Sequence, residues 1–230
     1  MRAPSRLWAS GFWRAARREA GLSALLALQG SVIFILAPLA ATGGLSPAVI
    51  ELARFVLAAV AVLTVVRSPI VVGLLAATFI ASFLLSVSFR SGAAATPLSL
   101  VRLGLTTAFD VVVAVAVARM AFSPGRVTVH RIMGGVTLYL SIGLIFAEAY
   151  RAAAFTLNPS FTHMPVRGRS ALSELLYFSF STLTTSGFGD IVPLHPFIRS
   201  MANLEAVIGQ LYPATLLARL VTLHSARAEG

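Results

Sequence analysis

Ser179-Phe180-Ser181-Thr182-Leu183-Thr184-Thr185-Ser186-Gly187-Phe188-Gly189-Asp190-Ile191-Val192-Pro193 is the stretch on which the reading of this chain turns. Two glycines alternate with Phe188 directly after a run of threonines, and an acid follows at once. Upstream, Ser170 offers an N-cap and Glu174 an early acid, so a helix is expected to begin there and run through Leu175 to Thr184. That helix is too short to cross a bilayer, and glycine-rich backbone follows it. At membrane depth such backbone is tolerated only where protein buries it or where it lines a water-filled path. A short re-entrant helix would also aim its C-terminal partial negative charge at that path, which suits a cation.

Working outward, the 230 residues are 57% hydrophobic and only 11% charged, with a mean hydropathy of +0.87. Soluble domains carry about 25% charged residues. The charges here fall in short intervals between long apolar runs, the pattern of a polytopic membrane protein. There is no cysteine, so disulfides and thiolate metal sites are excluded. The net charge of +10 comes from arginine alone. Most of these arginines sit at the ends of apolar runs, where membrane orientation accounts for them, and no nucleic-acid partner is expected.

Six apolar segments of about 20 residues are predicted at 22–41, 47–66, 69–89, 98–119, 129–150 and 200–223. Breakers separate them, including Thr42-Gly43-Gly44, Arg67-Ser68-Pro69, Arg90-Ser91-Gly92 and Ser123-Pro124-Gly125. The short links make neighbouring helices antiparallel. With the N-terminus inside, eleven arginines lie on the inner side against five outside, namely Arg90, Arg151, Arg167, Arg169 and Arg199, which satisfies the positive-inside bias. That orientation places the long interval between the fifth and sixth spans outside, with both termini cytoplasmic. The interval from Ala152 to Arg169 reads as an extracellular turret. The division expected is a basic, amphipathic cytoplasmic tail over 1–20 suited to anionic lipid, a four-helix region over 21–128, a 129–224 unit holding the opening motif, and a short cytoplasmic tail over 225–230.

Within the spans, Arg54 is one helical turn from Glu51, so a local ion pair is expected. Arg102 can snorkel to the outer interface. Asp110 lies near the centre of the fourth span, eight residues or about 12 Å along the axis from Arg102, too far for a direct pair. An acid at this depth marks a candidate functional or gating site; the plainer reading is a carboxyl hydrogen-bonded to a neighbouring helix. The fourth span has no basic residue between Arg102 and Arg119, so the repeated arginines of a voltage sensor are absent.

Thr185-Ser186-Gly187-Phe188-Gly189-Asp190 resembles the potassium-channel selectivity filter, usually Thr-Val-Gly-Tyr-Gly-Asp, and the likeness extends from Tyr177 through Pro193. It covers residues 170 to 224 well and the first four spans only by helix count. The fold it implies is an all-α membrane protein of six transmembrane helices, with a re-entrant pore helix and filter between helices 5 and 6, assembled as a homotetramer in the cell membrane. The 21–128 region then corresponds to a voltage-sensor-like domain without its arginine repeat, and 129–224 to the pore domain. Potassium ions would be held by carbonyls of Thr185, Ser186, Gly187 and Phe188 ahead of Gly189, with the Thr185 hydroxyl closing the inner site. Alternating glycines allow the left-handed angles that keep those carbonyls on one axis. The resemblance further implies that Asp190 pairs behind the filter with Tyr177, that Gly209 is the bend point of the inner helix, and that Arg199 opens that helix. Pro213, one turn below Gly209, should localise the bend.

Two positions depart from the family wording. Ser186 replaces a β-branched residue that packs behind the filter, and Phe188 lacks the hydroxyl of tyrosine. A weakly selective cation channel and a non-conducting scaffold of the same fold are therefore the alternatives to a potassium channel. Gln210, Thr215 and Leu217 are candidates for lining the path. The histidines at 130, 163, 195 and 224 give no metal constellation, and Glu148, Glu174 and Glu205 are not spaced as a catalytic pair. No enzyme and no cofactor beyond permeant potassium ions are expected. With the sixth span ending near residue 223, no cytoplasmic ligand-binding domain is expected either.

Overall fold

The computed structural model describes residues 21–45, 47–64, 69–88, 97–122, 129–157, 159–162 and 170–228. The basic tail over 1–20 and most of the turret lie outside the described residues. The described residues form seven helices: α1 (Gly21–Ala41), α2 (Pro47–Thr64), α3 (Pro69–Ser88), α4 (Pro97–Ala121), α5 (Val129–Thr156), α6 (Ala171–Leu183) and α7 (Pro196–Ala228). Four of them begin on a proline, whose missing N–H is no loss in the first turn and whose fixed φ suits the helix. Within α1, Val32–Leu36 is π-helical just before Pro38, where the ladder must be interrupted in any case.

The expected spans each coincide with a helix. Among the described residues, α1, the Ser99–Ala121 part of α4 and α5 are long and apolar enough to cross a membrane, with mean hydropathies of 2.1, 1.9 and 1.7. Shorter apolar stretches fall at Leu52–Ala61 in α2 and Val72–Ser82 in α3. The chain is thus a multi-pass, all-helical membrane protein.

Two buried clusters organise the helices. The first gathers Leu22 and Leu25 of α1, Leu57 and Ala61 of α2, Leu75 of α3, and Phe109, Val113 and Val117 of α4. The second gathers Ala37 of α1, Ala147, Tyr150 and Ala154 of α5, Phe161, Leu175, Leu176 and Phe178 of α6 and its approach, and Ile198 of α7. Because α1 contributes to both, it ties the four-helix region to the helices that carry the motif. Tyr150, Phe161 and Phe178 meet edge to face at 5.0–6.1 Å between ring centroids, an arrangement set by the aromatic quadrupoles. The result seats α6 in a rigid notch between α5 and α7.

Candidate functional site

Helix α6, 13 residues long, falls where the short helix ahead of the motif was expected. Ser170 does not cap it as the sequence suggested. Its backbone is already α-helical, its hydroxyl makes no capping bond, and its carbonyl accepts from Glu174 N at 3.0 Å. Ser170 thus stands at the N-cap place, its carbonyl making the first intrahelical bond without a side-chain cap.

At the other end the chain winds tightly before extending. Thr184 N donates to Phe180 O, Thr185 N to Thr182 O, and both Ser186 N and Gly187 N to Ser181 O. Leu183 O, at the last turn, accepts from the Tyr139 hydroxyl at 3.2 Å. Beyond it Thr185, Gly187 and Gly189 have φ of 58°, 56° and 80°, while Ser186 and Phe188 between them do not have positive φ. This alternation rotates successive peptide planes so that neighbouring carbonyls share one side of the chain instead of alternating across it. Thr185 does this despite a β-branched side chain, a conformation that costs on the order of 1–3 kcal/mol and concentrates at functional sites. Residues 184–190 are all exposed in the single chain.

The reverse side of this strand is braced by side chains. Ser186 Oγ lies 2.9 Å from Thr184 Oγ1, and Thr184 Oγ1 also donates to Phe180 O at 2.6 Å. Since Thr184 donates its one proton to Phe180, Ser186 is the donor in the hydroxyl pair. Phe188 N donates to Ser181 Oγ at 3.3 Å. The Phe188 ring stacks on Tyr177 with 5.8 Å between centroids and 11° between planes, and the Tyr177 hydroxyl lies near the Asp190 carboxyl. One tyrosine therefore stacks on the ring and approaches the acid of the motif. Tyr177→Phe keeps the stack and removes the hydroxyl near Asp190, so it is expected to cost no more than about 1 kcal/mol, read as a small drop in melting temperature in detergent.

Past the motif, Pro193 bridges Phe161 antiparallel, with Thr162 N donating to Val192 O and Leu194 N to Ser160 O at 2.9 Å each. Arg199 Nε donates to Pro193 O at 2.8 Å, fixing the start of α7 against the same turn. Helix α7 then runs unbroken through Gly209 and Pro213. Gly209 is buried, and a Cβ placed on it would overlap the Leu183 carbonyl oxygen. It is the point where the end of α6 rests on α7. Gln210, Thr215 and Leu217 are exposed, and Leu204, Val207 and Leu211 extend that apolar, uncovered surface along α7.

Asp110 is buried in α4 and takes a hydrogen bond from a neighbouring helix. The Arg54 guanidinium crosses from α2 to lie 3.1 Å from Asp110 Oδ2 and 3.6 Å from Glu148 Oε1. The side chain of Glu51, the partner expected for Arg54, lies outside the described residues. Arg54 thus joins α2 to acids of α4 and α5. Glu148, set aside in the sequence because it forms no catalytic pair, also receives Arg151 at 3.9 Å. Glu205, set aside for the same reason, is fully buried between α5, α6 and α7. Both lie inside predicted spans, and that depth was the signal that could have found them. Among the described residues no group of histidines and acids could hold a metal ion. His130 instead pairs with Ser23 Oγ at 2.7 Å, and His195 Nδ1 accepts from Phe197 N.

An ion-channel family model matches residues 132–225, which run from the first turn of α5 to near the end of α7 and contain α6 and the Thr185–Gly189 strand. No curated protein matches the chain. No solved structure matches it either.

Proposed function

We propose that this member of the ion-channel family is the pore-forming subunit of a potassium-selective channel, four copies of which surround the strand Thr185–Gly189. The observation that carries the reading is the alternation of left-handed backbone at Thr185, Gly187 and Gly189 at the end of a short, partly buried helix. Carbonyls of Thr185, Ser186, Gly187 and Phe188, brought to one side, replace the hydration shell of a potassium ion. One chain supplies a single such row. The exposure of residues 184–190 and of Leu204, Val207, Leu211 and Leu217 supports further copies around the axis, since bare polar backbone is not stable against lipid.

In this reading Tyr177 and Asp190 hold the filter from behind. Gly209 and Pro213 form the pivot about which the lower part of α7 swings, and Asp110 belongs to the apparatus linking the first four helices to the pore. Without arginine repeats in α4, opening is not strongly voltage-dependent. The 1–20 tail lies cytoplasmic against anionic lipid.

The purified chain in liposomes, held between opposed potassium and sodium gradients, is expected to reverse near the potassium potential and to be blocked by barium. Equal permeabilities would instead make it a weakly selective cation channel, and no flux a non-conducting scaffold. Ser186 is the position where selectivity is adjusted. Its hydroxyl pair with Thr184 does the bracing that a packed β-branched side chain would otherwise do. Ser186→Ala removes the hydroxyl support and supplies no β-branched packing, so it should lower the potassium-to-sodium ratio, whereas Ser186→Val should raise it. Unchanged reversal potentials in both variants would remove Ser186 from the account.

A further inference from the structure

Behind the filter, three hydroxyl or carboxyl groups from three helices form a closed hydrogen-bond chain. Glu205 of α7 and Ser179 of α6 are each 0% exposed. Ser179 Oγ lies 2.7 Å from Gly143 O of α5 and 2.5 Å from Glu205 Oε1. The Tyr150 hydroxyl donates to Glu205 Oε2 at 2.6 Å.

Counting protons fixes the arrangement. A backbone carbonyl can only accept, so the single Ser179 proton must lie toward Gly143 O; two oxygens at 2.7 Å with no proton between them repel. Ser179 then has only acceptor capacity left for its 2.5 Å contact with Glu205. That contact requires a proton on Oε1, while Oε2 accepts from Tyr150. We propose that Glu205 is kept as the neutral acid and serves as a positioning residue for the filter, joining α7 to α6 through Ser179.

The groups facing Glu205 are Tyr150 and, at longer range, Tyr139 from α5, and Ser179 from α6. None of them brings a positive charge, and an isolated buried carboxylate is costly. Ser179 stands two residues before Ser181, whose carbonyl holds Ser186 N and Gly187 N and whose hydroxyl holds Phe188 N. Fixing Ser179 therefore fixes the anchor of the filter strand. Ionising Glu205 removes a donor from the chain. Ser179 must then turn its proton to the carboxylate, which leaves the 2.7 Å contact with Gly143 O unbridged.

This role rests on the filter reading above, so the test includes measurements that do not depend on conduction. Infrared difference spectra of wild type against Glu205→Gln should show the carbonyl band of a protonated carboxylic acid at neutral pH, lost in the variant. Wild-type folding should weaken with alkalinity relative to Glu205→Gln by up to about tenfold in equilibrium constant per pH unit, since the unfolded acid is ionised and the folded one is not. In liposomes, potassium selectivity of the wild type should fall on alkaline titration. Glu205→Gln, whose amide N–H can replace the acid O–H and cannot ionise, should keep selectivity with a flat pH profile.

Absence of the band, or an identical alkaline loss in Glu205→Gln, overturns the neutral acid. Band and stability shift present but no flux in wild type would overturn the filter reading and the positioning role together, leaving the neutral acid in place. Should Glu205→Gln fail to assemble, Ser179→Ala serves instead. By deleting the acceptor of the acid proton it must shift the same band, and an unshifted band overturns the assignment.

Discussion

Gly209→Ala is expected to destabilise the protein by about 3 kcal/mol or more and to abolish selective flux. The added methyl would overlap the Leu183 carbonyl oxygen and stand 2.7 Å from its carbonyl carbon and 3.0 Å from its Cα. These are backbone atoms, so no rotamer change relieves the collision, and the close-packed interior transmits it. Leu183 ends α6, and its carbonyl is also held by Tyr139, so the strain falls on the turn that launches Thr185 into its left-handed conformation. The measurement is thermal unfolding in detergent alongside the liposome reversal potential. Pro213→Ala is the control, since it alters α7 one turn lower without approaching Leu183. The pair also separates two roles for Gly209. If it were only a flexible pivot, Gly209→Ala would fold and select normally with altered opening, and Pro213→Ala would resemble it. If it is chiefly the seat of α6, Gly209→Ala fails where Pro213→Ala does not.

What could be read from the sequence and what could not divides along physical lines. The conformation of the Thr185–Gly189 strand was legible because its requirement is local: alternate residues must tolerate left-handed backbone, and Gly187 and Gly189 announce this directly. Helix existence was legible for the same kind of reason, from runs of apolar residues and the breakers between them. Gly209 was legible as a special position, but its reason was not, because the clash with Leu183 joins residues far apart in the chain. The hydroxyl of Ser186 looked like a loss of packing alone; its pairing with Thr184 depends on a turn whose geometry the residue letters do not give. Arg54 was assigned the acid nearest in sequence. Its guanidinium reaches Asp110 and Glu148 on two other helices, which spacing along α2 does not reveal, because a long flexible stem lets packing between helices choose partners.

That choice of partner makes Arg54→Ala the second large effect, a loss of about 3–5 kcal/mol measured as thermal unfolding in detergent. Asp110 is 6% exposed and Glu148 1%. Removing Arg54 leaves both acids in a low-dielectric interior, where an ion pair that remains among the described residues is that of Arg151, 3.9 Å from Glu148 and on the same helix. The cost is chiefly that of uncompensated buried charge, not of the lost attraction, which gives the prediction a second part. If so, neutralising Asp110 in the same chain should recover much of the loss, so that Arg54→Ala with Asp110→Asn is more stable than the sum of the single changes by at least about 1 kcal/mol. Strict additivity would mean that Arg54 and Asp110 do not act as a pair. The location adds a functional reading to the same measurements. Arg54 and Asp110 belong to α2 and α4, whereas Glu148 belongs to α5, two residues before the Tyr150 that bonds Glu205 behind the filter. A conformational change in the first four helices that moves Arg54 therefore alters the charge balance at α5 directly. On that basis the double variant, although restabilised, should conduct with its opening uncoupled from whatever acts on α2 and α4.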